Sequence, residues 1–246
     1  MLYIKKQYPD RNVSANISEV KRTRQWDSVD KQDVPRVRSC FNDLDKALIK
    51  AQLLKEQHGL CAYCMSRIEK DSKMRIDHFI PIQVSGEDAL SYSNMVGCCH
   101  GGTLSEVETG ARKVLCCDAA KGEQQLAISP YNSDQMKKIR YSRKGRIYTC
   151  PKDNDMEYDL NVVLHLNGIL DDTNEKTIAD TATNLVLNRK LAYEKYVKIV
   201  RSLESKQMGT LKTRLEKQIQ KIENEETYIP YAGVLLYFLK RKLKAL

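Results

Sequence analysis

The stretch Cys61-Ala62-Tyr63-Cys64 decides how the rest of this chain is interpreted. Two thiolates at this spacing can bind one tetrahedral zinc ion through Zn–S bonds of about 2.3 Å. Two further ligands are needed, and the chain offers two cysteine doublets, Cys98-Cys99 and Cys116-Cys117. Adjacent side chains diverge, so we expect one cysteine from each doublet to bind. We favour Cys99 and Cys117, which gives a site of four thiolates.

Other assignments of the cysteines remain open. His100 is a rival for the fourth position, and Cys98 or Cys116 can replace its neighbour. A lone C-x-x-C also occurs without any metal, or as a redox pair, but the βαβ pattern of thioredoxin-like proteins is missing here. The N-terminus lacks the apolar core of a signal peptide, so we expect a cytoplasmic protein whose eight cysteines are thiols or metal ligands.

Composition limits the class of protein. Of 246 residues, 41% are hydrophobic and 30% are charged, which predicts one folded domain or a core domain with an appended helical part. Lys and Arg number 41 against 32 Asp and Glu, a net charge of +9 that suits a polyanionic partner. No apolar run approaches the ~20 residues that span a bilayer, so we expect no membrane partner.

The patterning predicts an α+β fold that is mostly helical. Residues 1–40 are polar and weakly patterned, which indicates an extended arm with short local structure, either packed on the domain as a strap or contacting a partner. In the cysteine-bearing region, 41–130, we expect a helix over 42–58, capped by Asn42 or Asp43 and ended by Gly59, and a short strand from residue 75. The last region, 131–246, is expected to hold a hairpin and helices.

The residue patterns within 131–246 predict its individual elements. Alternation on both sides of Gly145 predicts a β-hairpin over 131–149. Residues 151–161 are expected to form a loop, and 162–166 a strand. Helical periodicity then predicts three helices up to the C-terminus, with Pro230 between the last two.

A second chemical feature is the pair Asp77-His78 at the end of the predicted strand. The histidine imidazole, with a pKa near 6.5, can take a proton from water at neutral pH. A carboxylate beside it can hold a hard cation. Asn94 follows His78 by 16 residues, and Asp118 comes directly after Cys117.

In this order the motifs resemble the HNH endonucleases, whose ββα-metal finger is laced by zinc in the cysteine-bearing members. The matching text is Cys61 to Cys64, Ile76-Asp77-His78-Phe79-Ile80-Pro81, Ser93-Asn94-Met95-Val96 and Cys117-Asp118-Ala119-Ala120-Lys121-Gly122. The resemblance implies a zinc-containing nuclease core in 41–130. It also implies that His78 is the first histidine and Asn94 the central asparagine. Asp118 departs from the histidine or asparagine usual at the last position.

The resemblance implies a mechanism as well. Asp77 and Asp118 would hold one catalytic Mg²⁺ or Mn²⁺, and His78 would activate the attacking water. Asn94 would brace the loop and orient His78. The zinc would be structural, because a site filled by four cysteines has no open position.

Over roughly residues 50 to 200, the chain is similar to one subgroup, the effector nucleases of retron and Septu-type antiphage systems. The similarity rests on Leu53 to Cys64, the split doublets, Ile128-Ser129-Pro130, and Asn184-Leu185-Val186-Leu187-Asn188. Those nucleases act with an SMC-like or ABC-type ATPase. The resemblance thus implies such a partner, and a retron reverse transcriptase with its RNA and DNA as a further one. No phosphate-binding G-x-x-x-x-G-K-[ST] loop is found in the chain, so ATP hydrolysis would belong to the partner.

A cluster of cations interleaved with tyrosines is the expected nucleic-acid contact, since cations suit phosphates and aromatic rings suit unstacked bases. The cluster consists of Lys137, Lys138, Arg140, Arg143, Lys144 and Arg146. Lys121, which lies outside the cluster, is expected to contribute to the same contact. The alternative is a solvated hairpin face. Two other functions also stay open. One is a zinc-stabilised nucleic-acid-binding module without catalysis, and the other is a protein-interaction subunit in which zinc only holds the fold together.

Overall fold

The computed structural model describes residues 1–71, 73–102, 114–171, 177–205 and 209–246. Within these residues the fold is α+β and about 49% helical, with three separate two-stranded antiparallel sheets. This confirms the expected class of helices combined with small sheets. None of the described helices has the length and apolar character needed to cross a membrane.

The N-terminal region is helical. Helices α1 (Arg11–Lys21), α2 (Arg24–Ser28) and α3 (Val34–Asn42) are each capped by a polar side chain at their start. Their buried side chains include Trp26 and Val37, and so join the hydrophobic core. The expectation of an extended arm over 1–40 is therefore wrong, while packing of this segment on the domain is correct.

Helix α4 (Lys46–Glu56) begins later than expected. Its N-cap is Asp45, whose carboxylate accepts hydrogen bonds from the backbone N–H groups of Ala47 and Leu48. Asn42 cannot cap this helix, because it is the last residue of α3. At the other end, Gly59 has φ +71, the left-handed conformation that the sequence predicts after a helix.

The middle of the chain forms a strand–strand–helix unit. Strand β1 (Arg75–His78) pairs antiparallel with β2 (Met95–Cys98), and His78 lies opposite Met95. Two short 3₁₀ turns, Glu87–Leu90 and Tyr92–Asn94, lie between these strands. The short helix α5 (Cys117–Lys121) follows.

The hairpin predicted around Gly145 is present. Helix α6 (Ser133–Lys138) leads into β3 (Ile139–Tyr141), which pairs with β4 (Ile147–Thr149). Gly145 has φ +88, and a Cβ there would lie 2.1 Å from the Val186 carbonyl oxygen, so the turn requires glycine.

The expected loop over 151–161 and strand over 162–166 are both wrong. Helix α7 (Asn154–Tyr158) starts at the capping residue Asp153 and continues as a π-helical turn over Asp159–Val163. Asp159 accepts the backbone N–H groups of Ala127 and Ile128 at 2.6 and 2.7 Å, which ties this turn to a neighbouring segment. The tertiary contact therefore stabilises a conformation that the short apolar run alone does not indicate.

The remaining elements complete the fold. Strands β5 (Ile169–Leu170) and β6 (Thr177–Ala179) pair antiparallel. The three expected C-terminal helices are α8 (Leu185–Glu204), α9 (Leu211–Glu223) and α10 (Ala232–Lys244), and they pack on one another. Their buried leucines and isoleucines fall at the spacing that predicted them.

Gly101 marks a close approach of two backbone segments. It has φ +71, and a Cβ there would lie 2.0 Å from the carbonyl oxygen of Cys116. We expect Gly101→Ala to lower the free energy of unfolding, measured by urea titration. The loss combines backbone strain with an overpacking cost of about 1–3 kcal/mol.

Gly209→Ala is the matched control for this prediction. Gly209 has the same φ of +71, but no atom of the described residues lies within 4 Å of a Cβ built there. This variant should show the backbone strain alone. Equal losses for the two variants would contradict the close approach at Gly101.

Candidate metal centre and active site

Four buried thiols converge in the core. The Sγ atoms of Cys61, Cys64, Cys99 and Cys117 all lie within 4.8 Å of one another, in a geometry able to hold a metal ion. The Sγ atoms of Cys64 and Cys99 are 3.7 Å apart. A tetrahedron with Zn–S bonds of about 2.3 Å places its sulfurs about 3.8 Å apart, whereas a disulfide bond is only about 2.05 Å long. The cluster therefore fits zinc, and the favoured set of four cysteines is confirmed as a candidate site.

Local backbone bonds set up this cluster. The turn that carries Cys61 and Cys64 is closed by the Met65 N–H, which donates to the Cys61 carbonyl, and the Ser66 N–H points at the Cys64 sulfur at 3.4 Å. Cys99 directly follows β2. Cys117 has φ +55 at the start of α5, and its N–H donates to the Leu164 carbonyl.

The rival ligands lie outside the cluster. Cys98 is the last residue of β2 and is buried. The Cys116 sulfur lies 3.4 Å from the Gly101 carbonyl oxygen and 3.3 Å from the Thr183 hydroxyl. The Nδ1 atom of His100 accepts a hydrogen bond from the Gly102 N–H. Adjacent cysteines thus do diverge, and one member of each doublet joins the site.

The buried amide of Gln57 links α4 to this centre. Its Nε2 donates to the carbonyls of Leu60 and Gly97, and its Oε1 accepts the Gly97 N–H at 2.7 Å. These three bonds fix the C-terminus of α4 between the Cys61 turn and β2. The sequence does not indicate this role of Gln57, because a single glutamine near a helix end has no distinctive pattern.

A cleft of about 570 Å³ is lined by Asp118 from α5, the residue that follows Cys117 of the cysteine cluster. It is also lined by Asp77 and His78 from β1, so the structure brings three of the four expected site residues to one surface. The fourth, Asn94, is not among the residues that line the cleft. Among the described residues, however, these three do not form a cluster of ligand atoms within 4.8 Å, as the four cysteines do.

Asp77 is buried and fully engaged. The Tyr63 hydroxyl donates to its Oδ2 at 2.6 Å, and the Lys121 ammonium bonds to its Oδ1 at 3.1 Å. Burial raises the pKa of Asp77 to about 7, while the charge of Lys121 opposes that shift. Tyr63, between the two cysteines of the first motif, is a second residue whose role the sequence did not indicate.

Lys121 differs from its expected role in nucleic-acid contact. Its side chain has no exposed surface, and its Nζ also donates to the His78 carbonyl at 2.8 Å. The ammonium group is therefore an internal partner of Asp77 and is not available to a phosphate in this arrangement.

His78 has a defined protonation pattern. Its Nε2 lies 2.9 Å from the Ala89 carbonyl oxygen, which can only accept, so Nε2 carries the hydrogen. In the neutral ring Nδ1 is then the unprotonated atom. Burial lowers the pKa of His78, which favours this neutral form, and the ring packs edge-on against Phe41.

Asn94 braces the loop between the strands. Its Oδ1 accepts the Ile80 N–H at 2.7 Å, and its Nδ2 donates to the carbonyls of Ile80 and Asp88. Asp88 precedes Ala89, the residue that orients the His78 ring. Asn94 therefore lies where it can support the loop that holds His78.

The two carboxylates supply the hard oxygen ligands that a divalent ion prefers, but both are paired with cations. Asp118 bonds to Arg75 at 3.2 Å, and Asp77 holds Lys121. An ion shared by Asp77 and Asp118 does not fit this arrangement unless Lys121 leaves Asp77, since an ammonium group and a divalent cation repel each other.

The basic cluster on the hairpin lies away from this cleft. Lys137 pairs with Asp134 at 2.8 Å, and Lys138 pairs with Asp153 at 3.0 Å. Lys137 and Arg140 line a different cavity, bounded by the C-terminal helix. Arg38 is one of the cations that line the Asp77 cleft, and the sequence did not indicate this position.

Comparison with known proteins does not identify a family for this chain. The chain matches no protein-family model and no curated protein. The resemblance to HNH endonucleases therefore remains a prediction from the motifs, and measurement of nuclease activity at this site is needed to test it.

The zinc assignment predicts different results for adjacent cysteines. Cys99→Ser removes one of four ligands, so we expect purified protein to lose most of its zinc and to unfold at a lower temperature. Cys98→Ser, the matched control, should keep one zinc per chain. Metal content is measured by mass spectrometry, and a zinc-loaded Cys99→Ser protein would contradict the assignment.

The buried ion pair predicts a double-mutant result. Lys121→Met leaves the Asp77 carboxylate buried without its cation, so we expect a loss of about 3–5 kcal/mol in the free energy of unfolding. Adding Asp77→Asn should recover most of that loss, because the unpaired charge is then gone. A single variant as stable as the wild type, or a double variant no more stable than the single, contradicts this pairing.

Proposed function

We propose that this chain is an HNH-type endonuclease that hydrolyses phosphodiester bonds in nucleic acid, with His78 as the general base. The observation that carries the proposal is the bond from His78 Nε2 to the Ala89 carbonyl, on a residue that lines an acidic-and-basic cleft. A carbonyl partner leaves Nδ1 as the lone-pair atom. That atom can take the proton from an attacking water.

The order of elements agrees with this proposal. The pair Asp77-His78 closes β1, Asn94 precedes β2, and Asp118 lies in the first turn of α5. Strand, strand and helix follow one another beside a zinc-fitting cluster. This is the order that a ββα-metal finger requires, and it supports the HNH interpretation of the motifs.

Asn94 is proposed as a positioning residue. Its side chain ties Ile80 to Asp88, and so fixes the loop whose Ala89 carbonyl holds the His78 ring. A histidine held in one tautomer and one orientation needs no reorganisation when it takes the proton from the water that attacks the phosphate.

We propose that the activity depends on Mg²⁺ or Mn²⁺, which Asp77 and Asp118 would hold only if Lys121 left Asp77. The ion would supply positive charge that offsets the charge of the scissile phosphate. In the arrangement described here, Tyr63 and Lys121 hold the Asp77 carboxylate in place.

In the cell, we propose that the nuclease is the effector of an antiphage defence system. The support is the motif similarity over about residues 50 to 200. An SMC-like or ABC-type ATPase is the proposed partner, and a retron reverse transcriptase with its RNA and DNA is a further one. The chain itself contains no P-loop sequence for ATP binding.

One observation favours a non-catalytic alternative. The Asp77 carboxylate is already neutralised by a fully buried lysine, as in a structural ion pair. On this interpretation the chain is a zinc-stabilised binding module. Binding of Mn²⁺ to the folded protein, followed by its electron paramagnetic resonance signal, separates the two functions. Only the nuclease should bind the ion, and Asp77→Asn should abolish that binding.

The nuclease proposal predicts a specific loss of cleavage. His78→Ala should reduce cleavage of labelled DNA and RNA oligonucleotides by at least about 100-fold, since general-base catalysis contributes about 10²–10⁴-fold. Zinc content and the unfolding temperature serve as the check on folding. The substrates are incubated with Mg²⁺ or Mn²⁺, with and without the co-purified ATPase partner.

His58→Ala is the matched control. His58 lies outside the cleft, where its ring stacks on Tyr228, so its loss should leave cleavage unchanged. Full activity of a folded His78→Ala protein would rule out the base assignment. No cleavage by the wild type with any of these substrates, ions and partners would rule out the nuclease.

A further inference from the structure

We propose that the phosphate backbone of the nucleic acid is bound by Arg38, Lys46 and Lys50, on the side of the cleft formed by α3 and α4. This inference rests on the proposed function, because it names the residues that hold the substrate of that site. It replaces the hairpin cluster as the principal contact. We call these three residues the α3–α4 wall.

The charge of the cleft favours a polyanion. Five cations line it, against three carboxylates from Asp77, Asp118 and Glu123, so its balance is +2 with His78 neutral. The five are Arg38, Lys46, Lys50, Arg75 and Lys121. Three of them are paired with these carboxylates: Arg75 with Asp118, Lys121 with Asp77, and Arg38 with Glu123 in an exposed pair. The other two cations, Lys46 and Lys50, belong to the wall.

The ammonium groups of both wall lysines donate to backbone carbonyls, and Lys46 also lies near the charges of Asp43 and Asp45. The Lys50 ammonium donates to the Asp71 carbonyl at 2.8 Å, and the Lys46 ammonium donates to the carbonyls of Phe41 and Leu44. Carbonyl partners orient a cation without cancelling its charge. Burial lowers the pKa of Lys46 to about 8, so most of it stays charged at neutral pH.

Their spacing suits a chain of phosphates. Lys46 and Lys50 are one helical turn apart on α4, which places them on the same face with Cβ atoms about 5–6 Å apart. Arg38 contributes from α3 and pairs with Glu123. That pair is exposed, and exposed ion pairs contribute little, so a phosphate can take the place of Glu123.

The hairpin cluster is less suited to this role. The cavity that Lys137 lines does not contain His78. A phosphodiester bond that is attacked by the water that His78 activates must lie in the cleft that His78 lines. The cations of that cleft are therefore the ones that meet the adjoining phosphates.

The test measures binding without cleavage. Fluorescence anisotropy follows the binding of the wild type to labelled single-stranded DNA, duplex DNA and single-stranded RNA, with no added divalent cation, over a range of salt concentrations. The test variant is Arg38→Gln/Lys50→Gln, and the control variant is Lys137→Gln/Lys144→Gln, whose side chains are exposed. Each phosphate contact contributes about 0.7–0.9 to the slope of log K against log salt.

We expect the wall variant to lose about 1.4–1.8 from the slope and the hairpin control to keep the wild-type slope. An unchanged slope in the wall variant, a loss confined to the hairpin variant, or no binding by the wild type overturns the inference. Circular dichroism and zinc content confirm that each variant is folded. If the wall variant behaves as expected but the wild type never cleaves, the binding surface stands and the nuclease proposal fails.

Discussion

The convergence of four thiols on one point is the constraint on which the rest of the site depends. Cys61, Cys64, Cys99 and Cys117 come from three separate segments, and each is buried. The strands β1 and β2 have four residues each and α5 has five, so none of them is stable alone. A zinc ion bonded to all four sulfurs would tie together the turn of Cys61 and Cys64, the end of β2 and the start of α5.

The same cluster also positions the polar cleft beside it. Tyr63 lies between two of the cysteines and donates its hydroxyl to Asp77, while Asp118 follows Cys117 directly. Lys121 comes one helical turn after Cys117 and reaches the same Asp77 carboxylate. Small movements of the cluster would therefore move the carboxylates. The cysteines of the cluster and the acidic residues of the cleft are therefore interleaved along the chain.

Much of the cysteine site and of the long helices could be predicted from the sequence, because ligand spacing and helical periodicity are local properties. Cys99 and Cys117 lie in the cluster, as expected. Helices α8, α9 and α10 lie in the segments for which the apolar spacing predicts helices. What the sequence did not indicate depends on tertiary contacts. The short helices near the N-terminus need the core to bury their sparse apolar residues, and the π-helical turn is held by hydrogen bonds from a distant segment to Asp159.

The candidate active site shows the same division. The sequence placed Asp77, His78 and Asp118 at one site, and the structure puts them on one cleft. It did not show that Lys121 would bond to Asp77, because that contact joins residues 44 positions apart. In the proposed nuclease, His78 is thus held in the tautomer that a base requires, while Asp77 and Asp118 are both paired with cations.

X-ray absorption at the zinc edge of the purified protein tests the central claim most directly. Our account predicts one zinc per chain bonded to four sulfur atoms at about 2.3 Å, with no nitrogen ligand. A folded protein without zinc, or a spectrum with an imidazole nitrogen in place of a sulfur, would contradict it.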